Sequence, residues 1–363
     1  MRDIKNGKTK RVLVAMSGGV DSSVAAALLK KQGYFVIGIF MKFWVPAGGT
    51  QNNTEKDAKQ HKIENRCCST ESEKMARLVA KKIGIPFYAL NAEREFKKKV
   101  VDYFLLEYKK GNTPNPCVVC NKEIKFGFLI KKALSLGADY VATGHYVAVK
   151  NGKLFKAADK NKDQSYFLWQ LNQKQLEKVL FPLADYTKPE VRKLAKKFKL
   201  PTAQTPESQE ICFVQNTTNE FLKKYLKINP GNIVGKNGKL LGKHQGLWFY
   251  TIGQRRGLEI PQGPYYAVAK DTKKNILIVS KNKKDLLQKE LIAKNVNWTS
   301  PQKLPLNCEV KIRYKSNSAT AKIYKLGAKK IKVIFEKPQA AVTPGQSAVF
   351  YAGRELLGGG IIE

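Results

Sequence analysis

Residues 11–33 read RVLVAM-SGGVDSS-VAAALLKKQG, and this stretch decides the fold. Residues 11–16 are apolar, short and β-branched, as in a buried strand; from Val24 the apolar residues recur with helical spacing until Gly33 stops the helix. Ser17-Gly18-Gly19-Val20-Asp21-Ser22-Ser23 therefore occupies the turn from a first strand into a first helix. Adjacent glycines let backbone N–H groups turn inward and approach an anion closely. The helix N-terminus behind them adds partial positive charge and unpaired donors. Asp21 and the serines are candidates to cap that helix, and Asp21 could also help hold Mg²⁺. No Gly-Lys-Ser/Thr follows and no G-x-G-x-x-G is present here, so neither the P-loop kinase pattern nor a dinucleotide turn applies. In an open α/β sheet this junction faces the crevice where ligands bind.

Working outward, FVIGIFM (35–41), IPFYALN (85–91) and ADYVATGHY (138–146) read as further strands, with helical stretches before each. Thr70 and Glu73 stand at capping-box spacing ahead of a helix whose Met75, Leu78, Val79 and Ile83 share one face. Strands alternating with helices predict an α/β domain with a parallel sheet covered on both faces, running to about residue 205. The polar stretch 45–66 reads either as a surface insertion or as a lid over a site. From residue 206 the pattern changes to the Gly-rich GNIVGKNGKLLGKHQGLWFYTIGQRRGL (231–258), with a basic tip at Arg255-Arg256. After residue 271 the short alternating segments NILIVS, CEVKIRYKS, TAKIYKL, KIKVIF and QSAVFY predict a small antiparallel β-barrel. The expected domains are thus 1–205, 206–270 and 271–363.

A chain of 363 residues, 43% hydrophobic, can bury a substantial core in two or three domains. Its 66 Lys+Arg against 29 Asp+Glu give a net charge of +37, which attracts polyanions such as nucleic acid. The lysines are scattered throughout, as codon bias would leave them, so the charge permits RNA binding without demanding it. No apolar run approaches the roughly 18 residues of a membrane span, and the N-terminus runs almost directly into a strand without a signal-peptide core. A cytoplasmic location is expected.

Six cysteines are too few and too irregular for a secreted disulfide scaffold. Cys117 and Cys120 lie in GNTPNPCVVCN (111–121), a proline-stiffened loop, and Cys212 lies far downstream in ESQEICFV (207–214). Read alone, the C-x-x-C is half a zinc site or a redox pair. Against zinc, no second pair follows at ribbon spacing and the chain has three histidines. Cys308 is expected in the core; Cys67 and Cys68 receive no role.

The strand–SGGVDS–helix junction resembles the PP-loop (adenine nucleotide alpha hydrolase-like) ATP pyrophosphatases. SGGVDSS, FMKFW, TPNPCVVCNKEIKFG, TGHY, KDQSYFL, SQEICF, YTIGQRRGL, AAVTPGQSAVFY and LGGGII occur in one order across nearly the whole chain. Together they resemble the bacterial tRNA-specific 2-thiouridylase family. That resemblance implies that Ala15, Met16, Ser17, Gly18, Gly19, Val20, Asp21, Ser22 and Met41 contact ATP, with Gly144 giving the nucleotide close backbone access. It places Asn115, Pro116 and Cys117 against the target base, Cys120 as nucleophile and Cys212 as persulfide carrier. His145, Lys162, Asp163, Gln164, Arg313, Tyr314 and Gln346 match positions that touch tRNA. Well-known family members carry Asp where this chain has Cys117, so Cys117, Cys120 and Cys212 could instead ligate a [4Fe–4S] cluster. The resemblance further implies ATP and Mg²⁺ as cofactors, tRNAs for Lys, Glu and Gln as substrates, a sulfur-donor protein as partner, and a monomer. Rival readings are another PP-loop tRNA-modifying enzyme, a small-molecule adenylating ligase, or a non-catalytic RNA-binding protein on a relic nucleotide fold.

Overall fold

In the computed structural model, which describes residues 9–46, 68–206 and 211–363, Arg11–Ala15 (β1) is the middle strand of a five-stranded sheet. Most of the polar insertion and Cys67 lie outside the described residues. The chain continues through α1 (Val20–Lys31), β2 (Phe35–Lys42), α2 (Thr70–Ile83), β3 (Phe87–Asn91) and α3 (Glu93–Phe96). A π-helical turn leads into α4 (Asp102–Lys109); then α5 (Pro116–Cys120), a π-helical segment (Asn121–Phe128) and α6 (Leu129–Ser135) follow without a break. Next come β4 (Tyr140–Ala142), the hairpin β5 (Val147–Lys150) and β6 (Lys153–Lys156), α7 (Gln173–Leu176), β7 (Val179–Leu180) and α8 (Lys188–Lys197). The sheet runs β3-β2-β1-β4-β7 and every pairing in it is parallel.

The chain divides into two compact units. The first comprises the described residues up to Val100 with Cys117–Asn216; the second comprises Val101–Pro116 with Thr217–Glu363. In the first, Val12 and Val14 join Val24 and Leu28 of α1, Ala76, Val79 and Ala80 of α2, and Val191 and Ala195 of α8 in one apolar cluster. Leu13, between them, projects to the opposite face and is also buried, as a strand covered on both sides requires.

Three local expectations shift. The cap of α2 is Ser69, whose Oγ accepts from Ser72 N at 3.1 Å; Glu73 instead pairs with Lys42 and Arg77. Those two cations hold its carboxyl below the usual range, although partial burial opposes them. Leu78 is exposed, because the buried stripe of that helix runs through Ala76, Val79 and Ala80. The cysteine pair does not sit in the loop: Pro116 opens a helix, so Cys117 and Cys120 lie on its first turn, where a proline without an N–H costs nothing.

The second unit holds α4, α9 (Thr218–Tyr225), a four-stranded sheet and a barrel. The sheet contains β8 (Gly231–Gly235), β9 (Leu240–His244), β10 (Tyr266–Asp271) and β11 (Ile276–Ser280), in the order β10-β11-β8-β9. The sequence reading gave the strand NILIVS to the barrel. Instead β11 pairs in parallel with β8, and Leu277 and Val279 close a core with Ile233, Leu247 and Ala267. The barrel consists of β12 (Leu287–Trp298), β13 (Leu306–Lys311), β14 (Ala319–Gly327), β15 (Lys330–Ala340), β16 (Ser347–Ala352) and β17 (Glu355–Ile362), all antiparallel. It closes where β12 pairs with β17. The glycines of LGGGII permit this closure: a Cβ on Gly358 would meet Asn297 O at 2.3 Å, and one on Gly360 would meet Ala293 Cβ at 2.9 Å.

Candidate active site

The glycine loop leaves β1 at its C-terminal end and enters α1 with Gly19 as the cap residue. Neither Asp21 nor a serine caps the helix from the side chain, as the sequence had led one to expect. The serines face back instead: Ser22 Oγ and Ser23 Oγ donate to Gly19 O at 3.1 and 2.8 Å, and Ser17 N donates to Ser22 Oγ at 3.2 Å. Gly18 has φ +77°, and a Cβ there would stand 2.4 Å from Ser72 O, so both conformation and space require glycine. Met16 and Met41 are buried at the C-terminal ends of β1 and β2. Gly144 lies against the first turn of α1: a Cβ would meet Ser22 N at 2.6 Å. The close approach visible at Gly144 is thus to the loop's own helix.

Asp21 is the focus of a polar network. Lys188 Nζ donates to both its oxygens, at 2.7 and 2.8 Å, and Tyr146 OH donates to Oδ1 at 2.8 Å. Lys188 opens α8, where Thr187 and Glu190 form a capping box, and its backbone N donates to Asp159 Oδ2 at 2.9 Å. Asp159 Oδ1 accepts from Asn161 N and Lys162 N. Asp163 accepts from Ala157 N, Ser165 N and Ser165 Oγ, while Gln164 clasps Tyr146 by exchanging two hydrogen bonds with its backbone. Lys162, Asp163 and Gln164 therefore form a stitched loop tied to the residue that holds Asp21. His145 is buried beside Phe126 and Phe181, with Nδ1 2.7 Å from Thr143 Oγ1. Desolvation, assisted by Lys125, holds its pKa well below the usual imidazole value, so it is neutral at physiological pH.

Of the cysteine pair, Cys117 is exposed and Cys120 buried, immediately before the π-helical segment. Such segments often mark functional sites. This one is pinned by Gln175 Nε2 donating to Phe126 O at 2.7 Å and by Lys99 on Glu123 at 2.9 Å. Cys212, expected in the central domain, falls instead in the first unit. Its neighbour Phe213 is buried edge-on against Phe96, 5.8 Å between centroids, and Phe96 stacks on Phe43 just past β2. The helix α3, which ends in Phe96, also packs on the π-helical segment. Cys120 and Cys212 are thus carried by segments that share α3 as a neighbour. Among the described residues no three His, Cys, Asp or Glu side chains are grouped to hold a metal ion. As placed, Cys117, Cys120 and Cys212 do not make a cluster ligand set. Cys308 is a core thiol, pushed up to about 12 by burial.

In the second unit the segment Gly111–Pro116 is held by its backbone. Gln346 Nε2 donates to Thr113 O and Thr113 N donates to Pro344 O, at 2.8 and 2.9 Å. Lys270 Nζ donates to Gly111 O at 2.8 Å. Arg313 Nη2 binds Ile252 O, Ala341 O and Thr343 Oγ1 at 2.9, 2.8 and 2.5 Å, which ties YTIGQRRGL to AAVTPGQ. Arg313 also lines an open groove on the barrel with Lys315, Asn317 and Lys337; Tyr314 lies beside Lys311, and Arg255 and Arg256 are exposed.

Comparison with known proteins places this arrangement. Residues 10–216 match a family model described as tRNA methyl transferase HUP domain, 219–281 its PRC-barrel domain, and 288–362 an aminomethyltransferase beta-barrel domain. A protein of Carboxydothermus hydrogenoformans named tRNA-specific 2-thiouridylase MnmA is 47% identical, the alignment covering 98% of each chain. Its namesake in Halothermothrix orenii is 50% identical over 97% of this chain and 99% of its own. The chain belongs to the tRNA-specific 2-thiouridylase family.

Within this candidate site, sequence reasoning missed Lys188 and Tyr146, which converge on Asp21, and Asp159, which holds the Lys188 backbone N. The available signals were modest: Tyr146 ends the TGHY motif, and Thr-Lys-Pro-Glu (187–190) is a helix-start signature. It also missed Lys270, a half-buried cation on Gly111 O.

Proposed function

We propose that this chain is an ATP-dependent tRNA-uridine 2-sulfurtransferase. The observation that carries this reading is the near-full-length identity to the named thiouridylases together with an intact glycine loop, Cys120 and Cys212 in one folded unit. The backbone N–H groups of the glycine loop and the α1 terminus cradle the phosphates of ATP. The C2 oxygen of uridine leaves poorly; transfer of AMP to it, with release of pyrophosphate, makes it a good leaving group. Preorganised donors of the loop offset charge building on the pyrophosphate, where Mg²⁺, when bound, adds Lewis-acid stabilisation. Both Asp21 oxygens engage Lys188, so Asp21 would ligate such an ion only by giving up part of that contact.

Sulfur arrives as a persulfide on Cys212, loaded by a sulfur-donor protein. The Cys120 thiolate attacks the Cys212 sulfur, forming a Cys120–Cys212 disulfide and releasing hydrosulfide. Hydrosulfide attacks C2, AMP departs with the oxygen, and a thiol reductant later returns the disulfide to two thiols. The target base, met by Asn115, Pro116 and Cys117, is read unstacked from a single-stranded loop. Lys162, Asp163, Gln164, Arg313, Tyr314, Gln346 and His145 belong to the tRNA-recognition set. The buried His145 and the inward bonds of Asp163 and Arg313 favour shaping that surface over gripping phosphate directly. The substrates are the Lys, Glu and Gln isoacceptors, and the enzyme works as a monomer.

Release of pyrophosphate from ATP that depends on added tRNA separates this reading from a relic RNA binder and from the methyl transfer in the family model's description. Absence of that release overturns it. Cys212→Ser is expected to abolish 2-thiouridine formation, measured by nucleoside mass spectrometry, with ATP affinity within about twofold of wild type. Normal thiolation by that variant would remove Cys212 from the mechanism.

A further inference from the structure

Lys188 is the least expected side chain in the first unit: its side chain is 9% exposed, in a class of residue seldom buried without a partner. The partner, Asp21, is 167 positions away in sequence and sits in the first turn of α1, on the glycine loop itself. A structural ion pair placed for stability alone gains little, because desolvation offsets most of the Coulomb attraction. The location supplies a different reason. A carboxylate in the first turn of the helix that receives a polyphosphate would repel its ligand, at a place where the loop otherwise presents only partial positive charge. Lys188 offsets that charge at contact distance.

Lys188 is also fixed at its backbone and beside its side chain. Asp159, itself buried, holds the Lys188 backbone N; the Thr187–Glu190 capping box and Pro189 fix the start of α8; and Tyr146 approaches the same Asp21 oxygen while its ring lies 5.9 Å from Nζ. A cation held this firmly contributes a set charge without reorganising when ligand arrives.

We propose that Lys188 is part of the nucleotide site, a positioning residue that fixes the Asp21 carboxylate and sets the sign of the charge the glycine loop presents to a polyphosphate. The inference rests on the ATP-dependent reading above and deepens it. A nucleotide with three phosphates depends on Lys188 far more than adenosine, which has none.

Calorimetric titration of the full-length protein with ATP and with adenosine, each with and without Mg²⁺, tests this in wild type, Lys188→Met and Lys188→Arg. Lys188→Met is expected to weaken ATP binding at least about tenfold, the scale of one lost charge-assisted contact, and adenosine binding less than about twofold. Lys188→Arg should recover a good part of the ATP affinity. Thermal melts of each variant report whether it folds; where Lys188→Met does not fold, Lys188→Gln takes its place, with the same selective loss of ATP binding expected. Equal losses for ATP and adenosine would make the residue merely structural and overturn the proposal, as would an unchanged ATP-to-adenosine ratio. A wild-type protein that binds no ATP would overturn the ATP reading itself, a result the variants cannot imitate.

Discussion

In the first unit the glycine loop is fixed by charge against charge, with Lys188 on Asp21 and Asp159 behind it. In the second, the segment ahead of the cysteine helix is fixed by donors on main-chain carbonyls, Lys270 on Gly111 and Gln346 on Thr113, and Arg313 ties two further loops in the same way through Ile252 and Ala341. The difference follows from what each region must do. A loop meant for an anion needs its own charges balanced, so that a ligand meets a small net field. A loop without secondary structure needs its carbonyls satisfied, because each one buried unpaired costs about as much as a lost hydrogen bond. Substitutions in the first region should therefore appear as lost nucleotide selectivity, and those in the second as lost stability.

Arg313→Ala gives the strongest test of that division. It leaves two carbonyls and the Thr343 hydroxyl without their charged donor, a loss of roughly 3–5 kcal/mol by the usual scale for bonds to charged groups. Denaturant midpoints should fall accordingly, with amide exchange accelerating at residues 252–254 and 341–346, while ATP affinity stays unchanged. A loss below about 1 kcal/mol would return Arg313 to the role of a surface cation.

Gly18→Ala approaches the comparison from the other side. The new Cβ meets Ser72 O at 2.4 Å, and the residue is held at φ +77°, which together cost about 2–3 kcal/mol. Because the strained residue lies in the glycine loop, which must move away from the Ser72 backbone of α2, ATP binding should weaken by more than tenfold while the second unit's amide exchange is untouched. Wild-type ATP affinity in this variant would separate the loop from the nucleotide.

How much of this was legible in the sequence depends on distance along the chain. The glycine loop could be read because strand, turn and helix are contiguous, and the barrel because alternation is local. Lys188 could not be read: nothing at residues 187–190 beyond a helix-start pattern says that its side chain reaches Asp21. Cys212 was assigned to the wrong part of the chain because composition changes at residue 206, whereas packing of Phe213 on Phe96 keeps the chain in the first unit past the change. The strand Ile276–Ser280 has the alternation of a barrel strand, and only its partner, β8, reveals its sheet. Side-chain period identifies a strand and its buried face; pairing is a long-range property that period does not encode.

Lys270 sharpens the comparison most finely, because its charge serves a carbonyl and meets no countercharge in that bond. Burial pushes its pKa down to about 8 from an ordinary value near 10.5. The sign follows from proton counts. Below about pH 8 both states are charged and the folded state bears the full cost of holding an ammonium there. Between about 8 and 10.5 the unfolded chain binds more protons than the folded one, so this group's contribution to stability rises with pH across that window. Lys270→Met removes the titration. The stability of wild type relative to that variant should therefore grow by about 2–3 kcal/mol from pH 7.5 to 10.5, at 1.4 kcal/mol per pKa unit with a discount for partial exposure. The neutral amine keeps its donor to Gly111 O throughout, so the hydrogen bond itself contributes no slope. Chemical denaturation of both proteins at matched pH values reads the difference, and the many surface lysines cancel in it. A flat difference would mean that the ammonium is hydrated as it stands, and that Gly111 O relies on it less than a buried carbonyl should.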